Sequence, residues 1–253
     1  MYNYYLGGKD HFAADRAAAD KAIEAFPSIL TAARENRAFI RRAVTYVSAE
    51  AGVDQFLDIG SGLPTAGAVH EVALGVNPAA RVVYVDNDPL VLAHARALLT
   101  STPQGRCAYV HADMREPRKI LGDPATRETL DFTRPVALIL AAVLHFLSDE
   151  DDPAQIVATL MDGLPSGSYL VASHGSPEYV SHEVEQGITR AYATGGVNVT
   201  VRDHSRFADI AFRGLELVPP GLLVISEWRP EPAVGLRPHP WEVSVNGAVA
   251  RKP

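Results

Sequence analysis

Along the first fifty residues apolar positions recur at three- and four-residue steps. Phe12 to Ala25 is alanine-rich, Phe26-Pro27 interrupts it, and Ser28 is placed to cap a second helix running to about Glu50. On that second helix Leu30, Ala33, Ile40, Val44 and Val47 form an apolar stripe, which Asn36 and Arg37 interrupt. From residue 54 the period changes. Gln55–Ile59, Arg81–Val85, Ala108–His111, Val136–Leu140 and Ser168–Ala172 are short runs that are apolar almost throughout, the pattern of parallel strands covered on both faces. Helical segments separate them, at about Ala66 to Leu74, Pro89 to Leu99, Pro153 to Leu164 and Pro177 to Ala193, with shorter turns around Pro117 to Leu130. Strand then helix, repeated with short loops, predicts right-handed crossovers and a doubly wound α/β sheet. The tail breaks the alternation. Gly214 to Trp228 and Trp241 to Arg251 are strand-like, with a Pro/Gly linker and no convincing helix between them, so they are expected to close the sheet as an antiparallel pair.

Ligands of such sheets sit beyond the carboxyl ends of the strands, near the point where strand order reverses. After the first strand comes Asp58-Ile-Gly60-Ser61-Gly62, whose glycines permit a tight turn and close backbone approach to a ligand. A dinucleotide fingerprint would place its third glycine at residue 65; here Pro64-Thr65 stands instead, which disfavours pyrophosphate. Asp58 adds a negative charge that suits a cationic or hydrogen-bond-donating ligand, although a tight turn with a capping aspartate would look the same. After the second strand comes Asp86-Asn87-Asp88-Pro89. A carboxylate at Asp86 suits the two hydroxyls of a ribose, whereas Asp88 before Pro89 reads as a helix cap. The third strand ends at Asp113-Met114, and Asp113 is either an acceptor for an adenine amino group or another turn aspartate.

Composition narrows the choice. With 23 Lys plus Arg against 30 Asp plus Glu, the formal charge of −7 argues against a nucleic-acid surface or a polybasic membrane patch. The single cysteine, Cys107, excludes an intrachain disulfide and a thiolate metal cluster and reads as a small core residue; no metal site is expected. Apolar runs are far shorter than the roughly 20 residues of a membrane helix, and the start of the chain lacks the layout of a signal peptide, so a cytoplasmic location is expected.

Asp58-x-Gly60-x-Gly62, Asp86 and Asp113 together resemble the class I S-adenosylmethionine-dependent methyltransferases. Tyr4-Tyr-Leu-Gly-Gly-Lys-Asp10, Gly62-Leu-Pro-Thr65, Tyr84-Val-Asp-Asn-Asp-Pro89, Val143-Leu-His-Phe146, Gly214-Leu-Glu-Leu-Val218 and Ala250-Arg-Lys-Pro253 resemble, over essentially the whole chain, an uncharacterised bacterial group within that superfamily, once classed as a domain of unknown function. The resemblance implies a Rossmann-like, mostly parallel seven-stranded sheet over residues 53–253 that binds S-adenosylmethionine, preceded by an N-terminal helical extension and lid over residues 1–52. It implies that Asp58 and the turn Gly60, Ser61, Gly62 face the methionine part, Asp86 and Asn87 the ribose, Asp113 with Met114 the adenine, and Ala141 the same site from the fourth strand. Pro64 departs from the wider class, where many members carry a further glycine. Members of the group also commonly begin a few residues before the tyrosine-rich segment, which implies a natural start upstream of Met1.

The acceptor side has fewer signals. His145 follows the fourth strand and His174 the fifth, both where a transferred methyl would emerge, and His145 is the better candidate for a base or substrate orienter. A methyltransferase can also work by proximity alone, because the sulfonium is a good leaving group. Asp149 to Asp152 reads as a helix start with Asp152 as cap, and Arg115 to Lys119 as a solvated loop. Tyr2, Tyr4 and Tyr5 beside Gly7-Gly8 suggest a cover folding over the ligand, with Tyr5 as a contact. Arg37 is placed to meet the ligand's carboxylate, or to pair internally with Asp10 or Asp15. The leading reading is methyl transfer to a small-molecule acceptor. A noncatalytic protein binding S-adenosylmethionine or S-adenosylhomocysteine is the alternative, and a nicotinamide-dependent oxidoreductase is disfavoured by Asp58, Pro64 and Thr65.

Overall fold

The computed structural model describes residues 1–9, 11–63, 67–89, 91, 105–231 and 236–253. Five strands run parallel: β1 (Gln55–Ile59), β2 (Arg81–Asp86), β3 (Arg106–His111), β4 (Ala137–Ala141) and β5 (Tyr169–Gly175). Three later strands, β6 (Glu216–Leu217), β7 (Leu223–Val224) and β8 (Val245–Arg251), are antiparallel: β8 lies along β5, and β6 and β7 pair with β8. The order is β3-β2-β1-β4-β5-β8-β6, with β7 also on β8, so strand order reverses between β1 and β4.

The central strands are largely apolar because both faces are covered. On one face Leu57, Val83, Leu138 and Leu140 pack with Ile156 and Leu160 of a helix over Pro153–Asp162 and with Phe207. On the other Phe56, Val82 and Ile139 meet Phe39, Ala43 and Val47 of the helix over Ile29–Ala49, and Trp228 closes against Phe39 edge-to-face at 5.6 Å between ring centroids. Each fully buried side chain of this size contributes about 1.5–3 kcal/mol relative to exposure, which is why this apolar pattern settles into one register.

In the order of the chain the helices that frame the site are α1 (Tyr2–Tyr5), α2 (Ala13–Ala25), α3 (Ile29–Ala49), α4 (Val69–Val76), α5 (Pro117–Gly122), α6 (Pro124–Thr129), α7 (Pro153–Asp162) and α8 (His182–Thr194). α1 and α2 form a third apolar cluster with α8, in which Tyr5, Ala19, Ala22, Phe26 and Ala191 are buried. Gly187 makes this packing close: a Cβ there would lie 2.7 Å from Ala25 Cβ. The tyrosine-rich segment is therefore seated in a core between α3 and α8, which is more than the loose cover its glycines suggested.

Several sequence expectations need correction. The sheet has eight strands, and Gly214 to Trp228 supplies two of only two residues each. Pro219 and Pro220 between them have no N–H to give to a ladder, which interrupts the longer strand the pattern suggested. Trp241 lies in a turn of helix, Pro240–Val243, and only the segment from Val245 joins the sheet. Ser28 makes no side-chain cap bond, because its backbone (φ −74°, ψ −1°) is already helical and does not direct the hydroxyl at the following N–H groups. After β5 a short turn over Pro177–Tyr179 precedes α8, which Ser181 caps from the side. Arg115 to Lys119 is no solvated loop: Pro117 opens α5, and Arg115 is bonded into the site described below. Asp152 caps α7 as expected, accepting from Gln155 N at 3.2 Å. Of the expected helix over Pro89 to Leu99, Pro89 opens a helix behind Asp88 and the rest but Val91 lies outside the described residues, as does the turn at Pro64-Thr65. No helix among the described residues is long and apolar enough to cross a membrane.

Candidate functional site

A cavity of about 800 Å³ opens over the carboxyl ends of β1 to β5, at the reversal of strand order, roofed by α1, α3 and α8 and by residues 195–201. Tyr5, Arg37, Asp58, Gly60, Ser61, Gly62, Asp86, Asn87, Asp113, Met114, Ala141 and His145 all line this one cavity.

The turn after β1 explains its glycines. Gly60 and Gly62 have φ of +75° and +63°, and a Cβ at Gly60 would overlap the Val143 side chain from the turn after β4. The turn is tied to β2: Gly60 N donates to Val85 O at 2.8 Å, and Gly62 N donates to Asp86 Oδ2 at 2.8 Å. Asp88 N donates to Asp86 Oδ1 at 3.0 Å. The Asp86 carboxylate thus gathers backbone N–H groups from the turns after β1 and β2 and lines the cavity. Burial raises the Asp86 pKa, opposed by the N–H groups of Asp88 and Gly62. Asp58, deep in the cavity, is pushed up to about 7 by burial, against the pull of the Arg37 guanidinium, and the Asp86 charge adds to the rise. Ser61 Oγ is buried and has no hydrogen-bond partner among the described residues.

Arg37 does not pair with Asp15, which instead accepts from Phe12 N and from the chain's amino terminus at 3.2 Å. Its guanidinium acts on Asp58 and stands 5.9 Å from the centre of the Tyr2 ring; Asp10, the other proposed partner, is outside the described residues. Asn36, the second polar interruption of the α3 stripe, finds the buried partner it needs. Ser173 Oγ donates to Asn36 Oδ1 at 2.6 Å, and Asn36 Nδ2 donates to the Tyr2 hydroxyl at 3.2 Å. Ser173 Oγ also accepts from Ala142 N at 3.0 Å, at a non-glycine residue with φ of +51°, so one hydroxyl fixes the strained end of β4 to α3 and β5.

Asp113 stands at the far end of the cavity. Its carboxylate receives the backbone N–H of Arg115 at 2.9 Å, the Arg115 guanidinium at 3.3 Å and the Asn87 amide at 3.3 Å. Burial pushes its pKa up, but the Arg115 N–H, the Asn87 amide and the guanidinium outweigh this and hold it below the usual range.

The turn that carries His145, Leu144–Phe146, is clamped from two sides. Arg202, buried, donates to Leu144 O at 3.1 Å and Leu147 O at 2.8 Å, and its charge pairs with Asp149 at 2.8 Å. Arg115 donates to Phe146 O at 3.1 Å and Asp151 Oδ1 at 2.8 Å, while Thr200 N donates to His145 O at 2.8 Å. His145 meets His174 edge-to-face at 5.7 Å between ring centroids, so the two histidines act as a pair. His174 Nδ1 bonds Gly175 O at 2.7 Å, which assigns the proton to Nδ1 and leaves Nε2 a buried acceptor with no partner among the described residues. Burial, with the neighbouring His174 and the Arg202 cation, lowers the His145 pKa to about 3; burial, opposed by the Gly175 bond and aided by Arg202, lowers His174 to about 4. Both are neutral at physiological pH.

Sequence reasoning assigned no role to Arg202, Arg115 or Tyr192. Arg202 had no distinguishing signal, since Asp203 beside it makes it look like one of an ordinary charged pair. Tyr192 had none, because its place depends on how α8 docks on α2.

A sequence profile described as S-adenosyl methyltransferase matches residues 1–253. Among solved structures, a DUF574 family protein from Streptomyces avermitilis MA-4680 is 47% identical, with 100% of this chain and 95% of that one covered and a TM-score of 0.94. A provisionally assigned methyltransferase from Thermobifida fusca YX is 40% identical over 99% of this chain and 92% of that one, with a TM-score of 0.89. The N-methyltransferase NodS from Bradyrhizobium japonicum WM9, in complex with S-adenosylhomocysteine, shares the fold at 14% identity, covering 84% of this chain and 85% of its own, with a TM-score of 0.50. No curated protein matches the chain.

Proposed function

The chain belongs to the S-adenosyl methyltransferase family, whose cofactor is S-adenosylmethionine, and we propose that it transfers the methyl group to a small molecule held in the same cavity. The observation that carries the reading is the continuity of the cavity from Asp86, through the glycine turn, to the clamped His145. The residues present fit the cofactor. Asp86 brings a carboxylate to the cavity wall that can accept from the vicinal hydroxyls of the ribose, and Asn87 stands beside it. Ser61 Oγ is an unsatisfied buried polar atom that a ligand would satisfy. Gly60 and Gly62 leave the backbone bare where the ligand approaches. Asp58, with a pKa near neutrality, accepts from the ligand's ammonium group, and Arg37 is placed for its carboxylate. Met114 and Asp113 line the adenine end, and Ala141 the floor between.

The bound cofactor supplies a methyl carbon on a positively charged sulfur, a good leaving group. The protein's part is alignment. Holding the acceptor atom in line with that carbon supplies much of the rate, because it replaces a bimolecular encounter. His145 orients the acceptor by accepting a hydrogen bond. Its weak basicity still suffices: a neutral hydroxyl that gains a methyl becomes a strong acid, and its proton passes to the imidazole and then to water.

Calorimetric titration tests the cofactor assignment. S-adenosylmethionine and S-adenosylhomocysteine are expected to bind and NADH not to bind. NADH binding with no response to either sulfur nucleoside would overturn it.

A further inference from the structure

The cavity extends well past the residues assigned to the cofactor, and the wall there is of one kind. Phe26 and Ile29 approach from the α2–α3 junction, Tyr5 from α1, Ile188 and Tyr192 from α8, and Val199 from the loop that follows. Phe146, next to His145, is 37% exposed, unusual for a phenylalanine, and its ring is tilted at 46° against that of Tyr192 with 6.5 Å between centroids. Two adjoining aromatic rings that both line the cavity present apolar surface to whatever enters.

Asp15, which also lines this side, is paired with the chain's amino terminus, and the imidazoles at the inner end are neutral. His145 and the buried His174 carry no charge at physiological pH, and His174 Nε2 is an acceptor that nothing among the described residues satisfies. Glu185, the one acid on the α8 wall, accepts from His182 at the outer surface. Arg202 presents its guanidinium to backbone carbonyls and Asp149, so its charge is already answered. A charged ligand drawn against Phe146 and Tyr192 would lose its hydration while the charges around it are already paired. A hydroxyl, by contrast, donates to a neutral imidazole and leaves nothing unpaired.

Resting on the reading of this cavity as a methyltransferase site, we propose that the methyl acceptor is an uncharged, flat, largely apolar molecule whose hydroxyl donates to the His145–His174 pair. In the transfer the hydroxyl oxygen forms a bond to the methyl carbon as the carbon–sulfur bond breaks; the sulfur keeps the electron pair and becomes a neutral thioether. The hydroxyl proton leaves to His145 and then to water. The product is a methyl ether.

The test uses the full chain saturated with S-adenosylhomocysteine and three probes with one skeleton: 2-naphthol, 2-naphthoate and 2-naphthylmethylamine, the last a cation at pH 7.5. Binding of S-adenosylhomocysteine is measured first, so that failure of the cofactor assignment is seen separately. 2-Naphthol is expected to bind at least about tenfold tighter than either charged probe. It should also shift the imidazole resonances of His145. Ile188→Asp should weaken 2-naphthol binding at least about tenfold while leaving S-adenosylhomocysteine affinity within about twofold. If that variant does not fold, the probe ranking and the His145 resonances decide alone. Tighter binding of either charged probe, absence of 2-naphthol binding below about 1 mM, or binding that leaves the His145 resonances unmoved would overturn the proposal.

Discussion

Replacing Arg202 by Met tests whether the His145 turn is held as the hydrogen bonds suggest. Arg202 has 2% of its side chain exposed and serves two main-chain carbonyls, Leu144 O and Leu147 O, besides Asp149. Methionine fills similar volume but donates nothing; Leu144 O still accepts from Leu147 N at 3.2 Å, so Leu147 O is the carbonyl left without its donor. Leaving one buried polar group unsatisfied costs about 1–3 kcal/mol. Asp149 adds little, since its side chain is 59% exposed and returns to water. For a chain of this length the loss corresponds to a fall in melting temperature of about 2–12 °C. Urea unfolding followed by circular dichroism, with the midpoint and slope fitted separately, gives the free energy. Arg202→Lys keeps the charge but can serve fewer acceptors, and it should fall between wild type and Met. Removing the cation also raises the His145 pKa, readable from its imidazole resonances. A Met variant within about 0.5 kcal/mol of wild type would refute the reasoning, because no surface substitution of that kind clamps a turn.

Three further outcomes follow from the site. Affinity for S-adenosylhomocysteine should rise with pH up to about 7, where Asp58 ionises and can meet the ligand's ammonium, and Asp58→Asn should flatten that dependence; calorimetry from pH 6 to 8 that is flat for wild type would contradict it. Because His174 and His145 have folded pKa values below the unfolded value of about 6.5, the unfolded chain binds more protons between that value and about 4, so stability is full above pH 6.5 and falls as the pH drops. The slope is at most about 1.4 kcal/mol per pH unit for each histidine, and His174→Gln should lessen it in urea titrations at pH 4.5 and 6.5. Once an acceptor is in hand, His145→Ala should lower turnover by about 100-fold or more with cofactor affinity little changed; wild-type turnover would leave alignment alone as the catalytic device.

The parallel core was legible because strands covered on both faces leave continuous apolar runs, and Gln55–Ile59 and Arg81–Val85 stand almost where β1 and β2 do. The tail was harder. Alternation from Gly214 to Trp228 resembles a strand, and only the prolines at 219 and 220 betray that the pairing is brief. At the site, the turn at Gly60 and the carboxylate at Asp86 were readable because each answers to local backbone geometry at a strand end. Asp113 kept two readings, and its bonds to Arg115 and Asn87 make it a satisfied turn aspartate as well as a wall of the cavity. Arg202 and Tyr192 were not readable. Their partners lie 53 or more residues away at Leu147 and Asp149, or on a helix whose docking depends on the close contact of Gly187 with Ala25. No spacing within the chain encodes such contacts.

The central claim is that Asp86 receives the ribose of S-adenosylmethionine in this cavity. Its most direct test is calorimetric titration of S-adenosylhomocysteine and its 2′,3′-dideoxy analogue into wild type and Asp86→Asn. Asparagine can keep one of the backbone bonds from Gly62 and Asp88, so the fold is checked by its melting temperature and the ligand term is isolated by the cycle. Wild type should bind S-adenosylhomocysteine about 10- to 150-fold tighter than Asp86→Asn, the equivalent of about 1.5–3 kcal/mol for hydrogen bonds to a charged acceptor. The dideoxy analogue should bind both proteins weakly and nearly alike. Equal affinity of wild type and variant for S-adenosylhomocysteine, or an equal loss for both ligands, would contradict the account.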